Sequence, residues 1–146
     1  MFRFYQHHFE WRGRALMAAS YDVLSEFYAY PLQVDLGGAP LTITDRSAMF
    51  VHLHRHRTAL EAAGIKALVP RVVAMDLPGT GARVWVRWRQ DMGGSFGPNW
   101  SDAVYHMRVK DNRALITRIA FTRLMLPEFG RAATHRRLVR GSAENA

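Results

Sequence analysis

Hydrophobic residues recur at helical spacing in the first part of the chain. In residues 2–18 they form two overlapping stripes, which predicts an amphipathic helix. One stripe holds Phe4, Trp11, Ala15 and Ala18, and the other holds Tyr5, Phe9 and Leu16. Ser20 is a candidate N-cap for a second helix from Tyr21 to about Ala29. That helix is expected to end before Pro31, because the residue preceding a proline avoids the helical conformation.

A short β-hairpin and a long third helix are predicted next. Residues 32–36 and 41–44 flank Gly37-Gly38, and glycines tolerate the positive φ of tight hairpin turns. Thr44 or Asp45 then caps a helix that is expected to end at Gly64. The buried stripe of this helix is predicted to be Met49, Leu53, His56, Leu60 and Ala63.

After Gly64 the period changes from helical to alternating, which is typical of strands. Four segments are rich in β-branched and aromatic residues: 68–77, 82–92, 103–110 and 115–124. Hairpin-length turns make neighbours antiparallel, and a longer Gly/Pro loop is expected over 93–101. We therefore predict one α+β domain over residues 1–126, with helices segregated from a sheet. A tail over 127–146 is expected to be a frayed helix or disordered.

Composition excludes several classes of site. The chain has 146 residues and no Cys, so it has no disulfide scaffold, no thiolate nucleophile and no Cys-ligated metal site. The first twenty residues lack the apolar core of a signal peptide, and no run approaches the ~20 apolar residues of a membrane span. A cytoplasmic protein is expected.

The positive charge is spread rather than concentrated. The chain carries 20 Lys and Arg against 12 Asp and Glu. Half of the excess lies near the ends, with three Arg against one Glu in residues 1–14 and four Arg against two Glu in residues 128–146. The clearest basic feature is a strand face formed by Arg83, Trp85, Arg87 and Arg89. Basic residues interleaved with aromatics can bind nucleic acid, but an exposed or dimer-facing side of the strand is the favoured interpretation.

The element order and three segments, residues 27–34, 84–88 and 105–109, resemble the NTF2-like superfamily, which includes ketosteroid isomerases and SnoaL-like polyketide cyclases. The resemblance spans about residues 15–124. It implies a cone, in which a strongly curved, mostly antiparallel sheet wraps the long helix and leaves a mostly apolar pocket. It also implies a homodimer through the outer face of the sheet. The superfamily contains enzymes and proteins that only bind, so the fold fixes no reaction.

Only some of the catalytic positions of the steroid isomerases are matched by suitable residues in this sequence. The position of their carboxylate base falls on Leu36, and Asp35 would face the pocket only if the strand register shifted by one residue. The position of one oxyanion donor falls on Tyr105, and a phenol can fill that role. The other donor, a tyrosine on the first helix, falls near Arg12. Isomerisation by the family's usual three groups is therefore not expected.

The pocket implied by the resemblance suits a compact apolar or aromatic molecule. Its candidate lining is Phe27, Tyr28, Leu53, Val86, Trp88, Tyr105, Met107, Ile119 and Phe121. Plain core packing is the competing interpretation of every one of these residues. No cofactor is expected.

The histidines at positions 52, 54 and 56 form the densest group of candidate ligands. On a helix His52 and His56 share a face, whereas His54 points elsewhere. Zinc requires at least a third ligand, and the neighbouring Arg55 and Arg57 would oppose a cation, so no metal site is expected. His56 lies on the buried stripe of its helix and is a candidate base or hydrogen-bond donor.

Three functions remain open at this point. The leading hypothesis is a domain that binds a small apolar or aromatic molecule in the cone. The alternative is a lyase, isomerase or cyclase that acts by proton transfer, with Tyr105 as oxyanion donor and His56 or Asp35 as base. The third is binding of nucleic acid or an acidic protein through the Arg-bearing strand face. It ranks last, because the resemblance assigns that face to dimerisation.

Overall fold

The computed structural model describes residues 1–125, so the tail predicted over 127–146 lies outside the described residues. The elements, in chain order, are α1 Phe2–Met17, α2 Tyr21–Ser25, β1 Tyr28–Leu36, β2 Pro40–Ile43, α3 Arg46–Ala62, β3 Ala67–Asp76, β4 Gly81–Asp91, β5 Phe96–Lys110 and β6 Arg113–Arg123. The predicted succession of two helices, a hairpin, a long helix and four strands is confirmed.

The six strands form one sheet in the order β2-β1-β6-β5-β4-β3. Every neighbouring pair is antiparallel except β1 and β6, which run parallel. The register shifts between Val72 and Ala74 in β3, and between His106 and Met107 in β5. Such irregularities bend strands. The result is the α+β cone that was predicted, with α1 and α3 packed against the concave face of a curved, mostly antiparallel sheet.

The second helix ends earlier than its sequence pattern indicates. It stops at Ser25, and β1 already begins at Tyr28 and continues through Pro31. The carbonyl oxygen of Phe27 accepts a hydrogen bond from the backbone N–H of Ile116 in β6 at 3.0 Å. The hydroxyl of Tyr30 donates to the carbonyl of Ser25. Pairing with β6 therefore takes the backbone groups that a longer helix would have used.

The predicted loop over 93–101 is largely strand. Gly93 and Gly94 make the turn at φ of 94° and 118°, and β5 begins at Phe96. Phe96 pairs with Asp91 across the ladder, and the guanidinium of Arg89 lies 3.8 Å from the centre of the Phe96 ring. These cross-strand contacts extend the pairing of β4 and β5 up to the turn, although glycine residues in this segment favour a loop.

The core lies between the helices and the concave face of the sheet. Strand β4 alternates as predicted, with Val84, Val86 and Trp88 buried and its arginines on the outer face. On α1 the buried stripe is that of Tyr5, Phe9 and Leu16, whereas Phe4 is 51% exposed. On α3 the buried residues are Met49, Leu53, His56 and Leu60, whereas Ala63, predicted to belong to this stripe, follows the end of the helix and is exposed. Within residues 1–125, no helix combines the length and apolarity needed to cross a bilayer.

Candidate functional site

A cavity of about 50 Å³ lies inside the cone, where α1, α3 and the concave face of the sheet meet. Its walls are mostly aliphatic and aromatic, with four polar exceptions, Arg12, Tyr28, His56 and Tyr105. A cavity needs only ~10–15 Å³ to hold one water molecule, so this one admits several waters or one compact molecule. The lining residues are Arg12, Gly13, Leu16, Leu24, Tyr28, Leu53, His56, Leu68, Trp88, Tyr105, Ile116 and Ile119.

The structure brings part of the predicted lining to this cavity. The predicted residues that line it are Tyr28, Leu53, His56, Trp88, Tyr105 and Ile119. Val86, Met107 and Phe121 are buried but pack in the core away from the cavity wall. Phe27 lies against Trp11, with ring centroids 4.9 Å apart, rather than against the cavity. Alternation along a strand identifies the inward face. Which of the inward residues line the cavity depends on how the helices cover that face.

The structure does not bring Asp35 to the cavity. Its neighbours Val34 and Leu36 point into the core, and Asp35 pairs with Pro40 in an unshifted hairpin register. Its Oδ1 accepts a hydrogen bond from the backbone N–H of Gly38 at 2.7 Å. Asp35 therefore stabilises the hairpin turn on the opposite side of the sheet, which corrects the hypothesis that it could act as a base.

Tyr105 and Trp88 form a buried polar pair on the cavity wall. Nε1 of Trp88 donates a hydrogen bond to the hydroxyl of Tyr105 at 2.8 Å. The two side chains are 8% and 6% exposed, and the ring of Phe9 packs 4.7 Å from that of Tyr105. The position of the phenol oxygen is thus set by packing against α1 and by a hydrogen bond from β4.

His56 projects from α3 into the same cavity and is 4% exposed. His54 lies on another face of the helix, where its ring packs edge-on against Tyr21 at 5.8 Å. In the part of the chain that the structure describes, no three side chains of the His, Cys, Asp or Glu type come together as a metal site would require. Of the three neighbouring histidines, His56 is the one that reaches the cavity.

The structure adds Arg12 to the predicted site residues. It is 5% exposed, its Nε donates to Nε2 of His8 at 2.8 Å, and its Nη2 donates to the carbonyl oxygen of Phe27 at 2.8 Å. The guanidinium also lies over the ring of Tyr28, 4.8 Å from its centre. A signal was present, because position 12 continues the stripe of Tyr5, Phe9 and Leu16.

A close approach of α1 to the sheet keeps Arg12 inside. Gly13 packs so tightly against β3 that a Cβ at this position would lie 2.8 Å from the carbonyl oxygen of Leu68. Only glycine permits this separation. The neighbouring Arg12 is carried with the helix into the cone, although its side chain is the most polar on that stripe.

Burial lowers the pKa values of Arg12 and His8. It lowers the pKa of Arg12, an effect opposed mainly by the nearby Tyr28 and Tyr105, and an arginine remains a cation at neutral pH. Burial, and then the charge of Arg12, lower the pKa of His8 to about 3. His8 is therefore neutral and acts as a hydrogen-bond acceptor for the guanidinium. The cavity wall consequently carries a positive charge.

The arginines of the outer sheet face are engaged by neighbours. Arg87 makes a two-pronged ion pair with Asp102, at 2.8 and 3.1 Å, and its guanidinium lies 4.9 Å from the centre of the Trp100 ring. Arg83 pairs with Asp76. These contacts offset part of the positive charge that a nucleic-acid surface would need.

No protein-family model matches the chain, and no curated protein matches it in sequence. Solved structures do match. An NTF2-like protein with a cystatin-like fold from Novosphingobium aromaticivorans is 20% identical, with a TM-score of 0.57 over 87% of this chain and 80% of that one. An NTF2-like protein of unknown function from Shewanella oneidensis is 15% identical, with a TM-score of 0.56 over 74% of this chain and 87% of that one.

A de novo designed protein with a curved β-sheet also matches, at 11% identity and a TM-score of 0.50, over 74% of this chain and 88% of that one. Likenesses at such low identity concern the fold. The chain therefore has an NTF2-like fold, as the resemblance of its sequence implies, and this fold by itself fixes no reaction.

Proposed function

We propose that the protein binds a compact apolar or aromatic molecule in the cavity of the cone. The observation that carries this proposal is a cavity of about 50 Å³ with a mostly apolar wall and four polar side chains. Small-molecule sites typically combine apolar walls with a few placed polar groups that fix orientation. The small volume makes a single ring the upper limit of ligand size.

Titration with toluene and phenol tests the proposal, with the indole N–H signal of Trp88 followed by NMR. Saturable shifts are expected, because Trp88 lies on the cavity wall. Leu53→Phe adds bulk to the wall and should weaken binding at least tenfold.

Leu60→Phe is the matched control. It makes the same change on the same helix, at a buried position that does not line the cavity, and should leave the affinity within about twofold. Titrations without saturable shifts in the wild type would refute the proposal. So would equal affinities in the Leu53→Phe variant and the wild type.

A second candidate function is proton transfer, because His56 and Tyr105 line one cavity. In such a reaction His56 would take a proton from a carbon next to a carbonyl, and Tyr105 would donate a hydrogen bond to the oxyanion that develops. The hydrogen bond from Trp88 to the Tyr105 hydroxyl strengthens that donor. Deuterium exchange into small aromatic ketones, lost in both His56→Gln and Tyr105→Phe, would favour this function over binding alone.

A further inference from the structure

Arg12 is a buried cation without an anionic partner among the described residues. It is 5% exposed, and the ion pairs of residues 1–125 join other arginines to their carboxylates. The groups that surround it are the neutral His8, the carbonyl of Phe27 and the tyrosines Tyr28 and Tyr105. A buried charge that lacks a counter-ion is unfavourable, and a guanidinium cannot escape by losing its proton.

The hydrogen bonds of Arg12 leave one nitrogen over. Nε donates to His8 and Nη2 donates to the carbonyl of Phe27, and the guanidinium also interacts with the side chain of Tyr28. Nη1 is fully buried and has no hydrogen-bond partner within residues 1–125. Buried donors in folded proteins are nearly always paired, so an orphaned one on a cavity wall points to a group that enters the cavity.

We infer that the cavity takes the anion of a compact carboxylic acid, with its carboxylate held at the guanidinium of Arg12 and the apolar part packed against the aliphatic wall. This inference rests on the proposed function and specifies its ligand class. One positive charge matches a monoanion. The small, mostly apolar cavity also disfavours the larger and more strongly hydrated phosphate.

Benzoate and benzamide form the test pair, since they share size and shape and differ in charge. Calorimetric titrations at pH 7 and low salt should give at least tenfold tighter binding of benzoate to the wild-type protein. Arg12→Met, which keeps the side-chain length but removes the charge, should weaken benzoate binding at least tenfold and leave benzamide binding unchanged or improved.

Arg14→Met is the matched control, because Arg14 is exposed on the same helix. It should preserve the preference for benzoate. Arg12→Lys, which keeps the charge, provides a second variant should Arg12→Met fail to fold, and should retain part of the preference.

The outcomes separate the inference from the proposed function. If benzamide binds the wild type as tightly as benzoate, the inference is wrong and binding in the cavity stands; Arg12 then serves only to tie α1 to the backbone of Phe27. If benzoate, benzamide and the neutral probes all fail to bind, both the inference and the proposed function are overturned.

Discussion

His8 stabilises the buried charge of Arg12 from one helical turn away. The two residues are four positions apart on α1, and the neutral imidazole accepts a hydrogen bond from the guanidinium at 2.8 Å. The rings of Phe4, Trp11 and Phe27 surround His8 with centroids 5.8 to 6.3 Å away. Protonation of His8 would break the hydrogen bond and place two cations side by side.

This arrangement predicts a loss of stability in acid. The folded-state pKa of His8, about 3, lies below the unfolded value of 6.5, so the unfolded chain binds the proton more readily. The contribution of His8 to stability is complete above pH 6.5 and declines as the pH falls towards 3, by at most about 1.4 kcal/mol per pH unit. Urea unfolding should show a smaller decline over this range in His8→Gln, whose amide oxygen can still accept from Arg12.

His7→Gln is the control, because His7 is exposed on the neighbouring position, and it should follow the wild type. An NMR titration in which His8 protonates near pH 6.5 would contradict the assignment.

The two helix N-termini inside the domain differ in how they are stabilised. Asp45 caps α3, because its Oδ1 accepts a hydrogen bond from the backbone N–H of Ala48 at 2.8 Å. Ser20 occupies the equivalent position of α2 but its side chain makes no such bond. The long helix that carries His56 therefore has a defined beginning, whereas the five-residue α2 depends on its packing.

This difference leads to a comparison of two alanine substitutions. Asp45→Ala should lower the free energy of unfolding by about 1 kcal/mol, because it removes a capping hydrogen bond. Ser20→Ala should cost less than about half as much. Chemical denaturation of both variants and the wild type measures the difference. Equal losses in the free energy of unfolding would contradict the prediction that Asp45 stabilises its helix more than Ser20 does.

At the scale of the whole molecule, the outer face of the sheet has a side-chain composition that is unrelated to the cavity. It combines arginines with apolar and aromatic side chains, including Val73, Trp85 and Trp100, and the guanidinium of Arg123 lies 3.9 Å from the centre of the Trp100 ring. Aromatic and arginine side chains are enriched where proteins meet. We expect two copies of this chain to associate through this face.

Sedimentation equilibrium tests the expected dimer. Trp85→Ser removes a large apolar contact from the outer face and should weaken the association at least tenfold. Phe50→Ser is the control, since Phe50 is 41% exposed on α3, away from the sheet. A wild-type protein that sediments as a monomer at micromolar concentration would disprove the dimer.

The parts of the fold that could be predicted rest on short-range patterns. Gly37-Gly38 marked the hairpin, the alternation over residues 83–89 identified the two faces of β4, and His56 followed the buried stripe of α3. Each depends on residues within a few positions of one another. The end of α2 was missed because β6, distant in sequence, takes the carbonyl of Phe27.

The sequence by itself determined the type and order of the elements. The spacing of its apolar residues matches the period of a helix or a strand, and each period arises from local backbone geometry. The sequence also placed Tyr105, Trp88 and His56 on inward faces. Only the tertiary structure decided which inward residues meet at the cavity, because this depends on how α1 crosses the sheet. The contact of Gly13 with Leu68 sets that crossing and carries Arg12 into the cone. The positive charge on the cavity wall is therefore a consequence of packing between segments far apart in the chain.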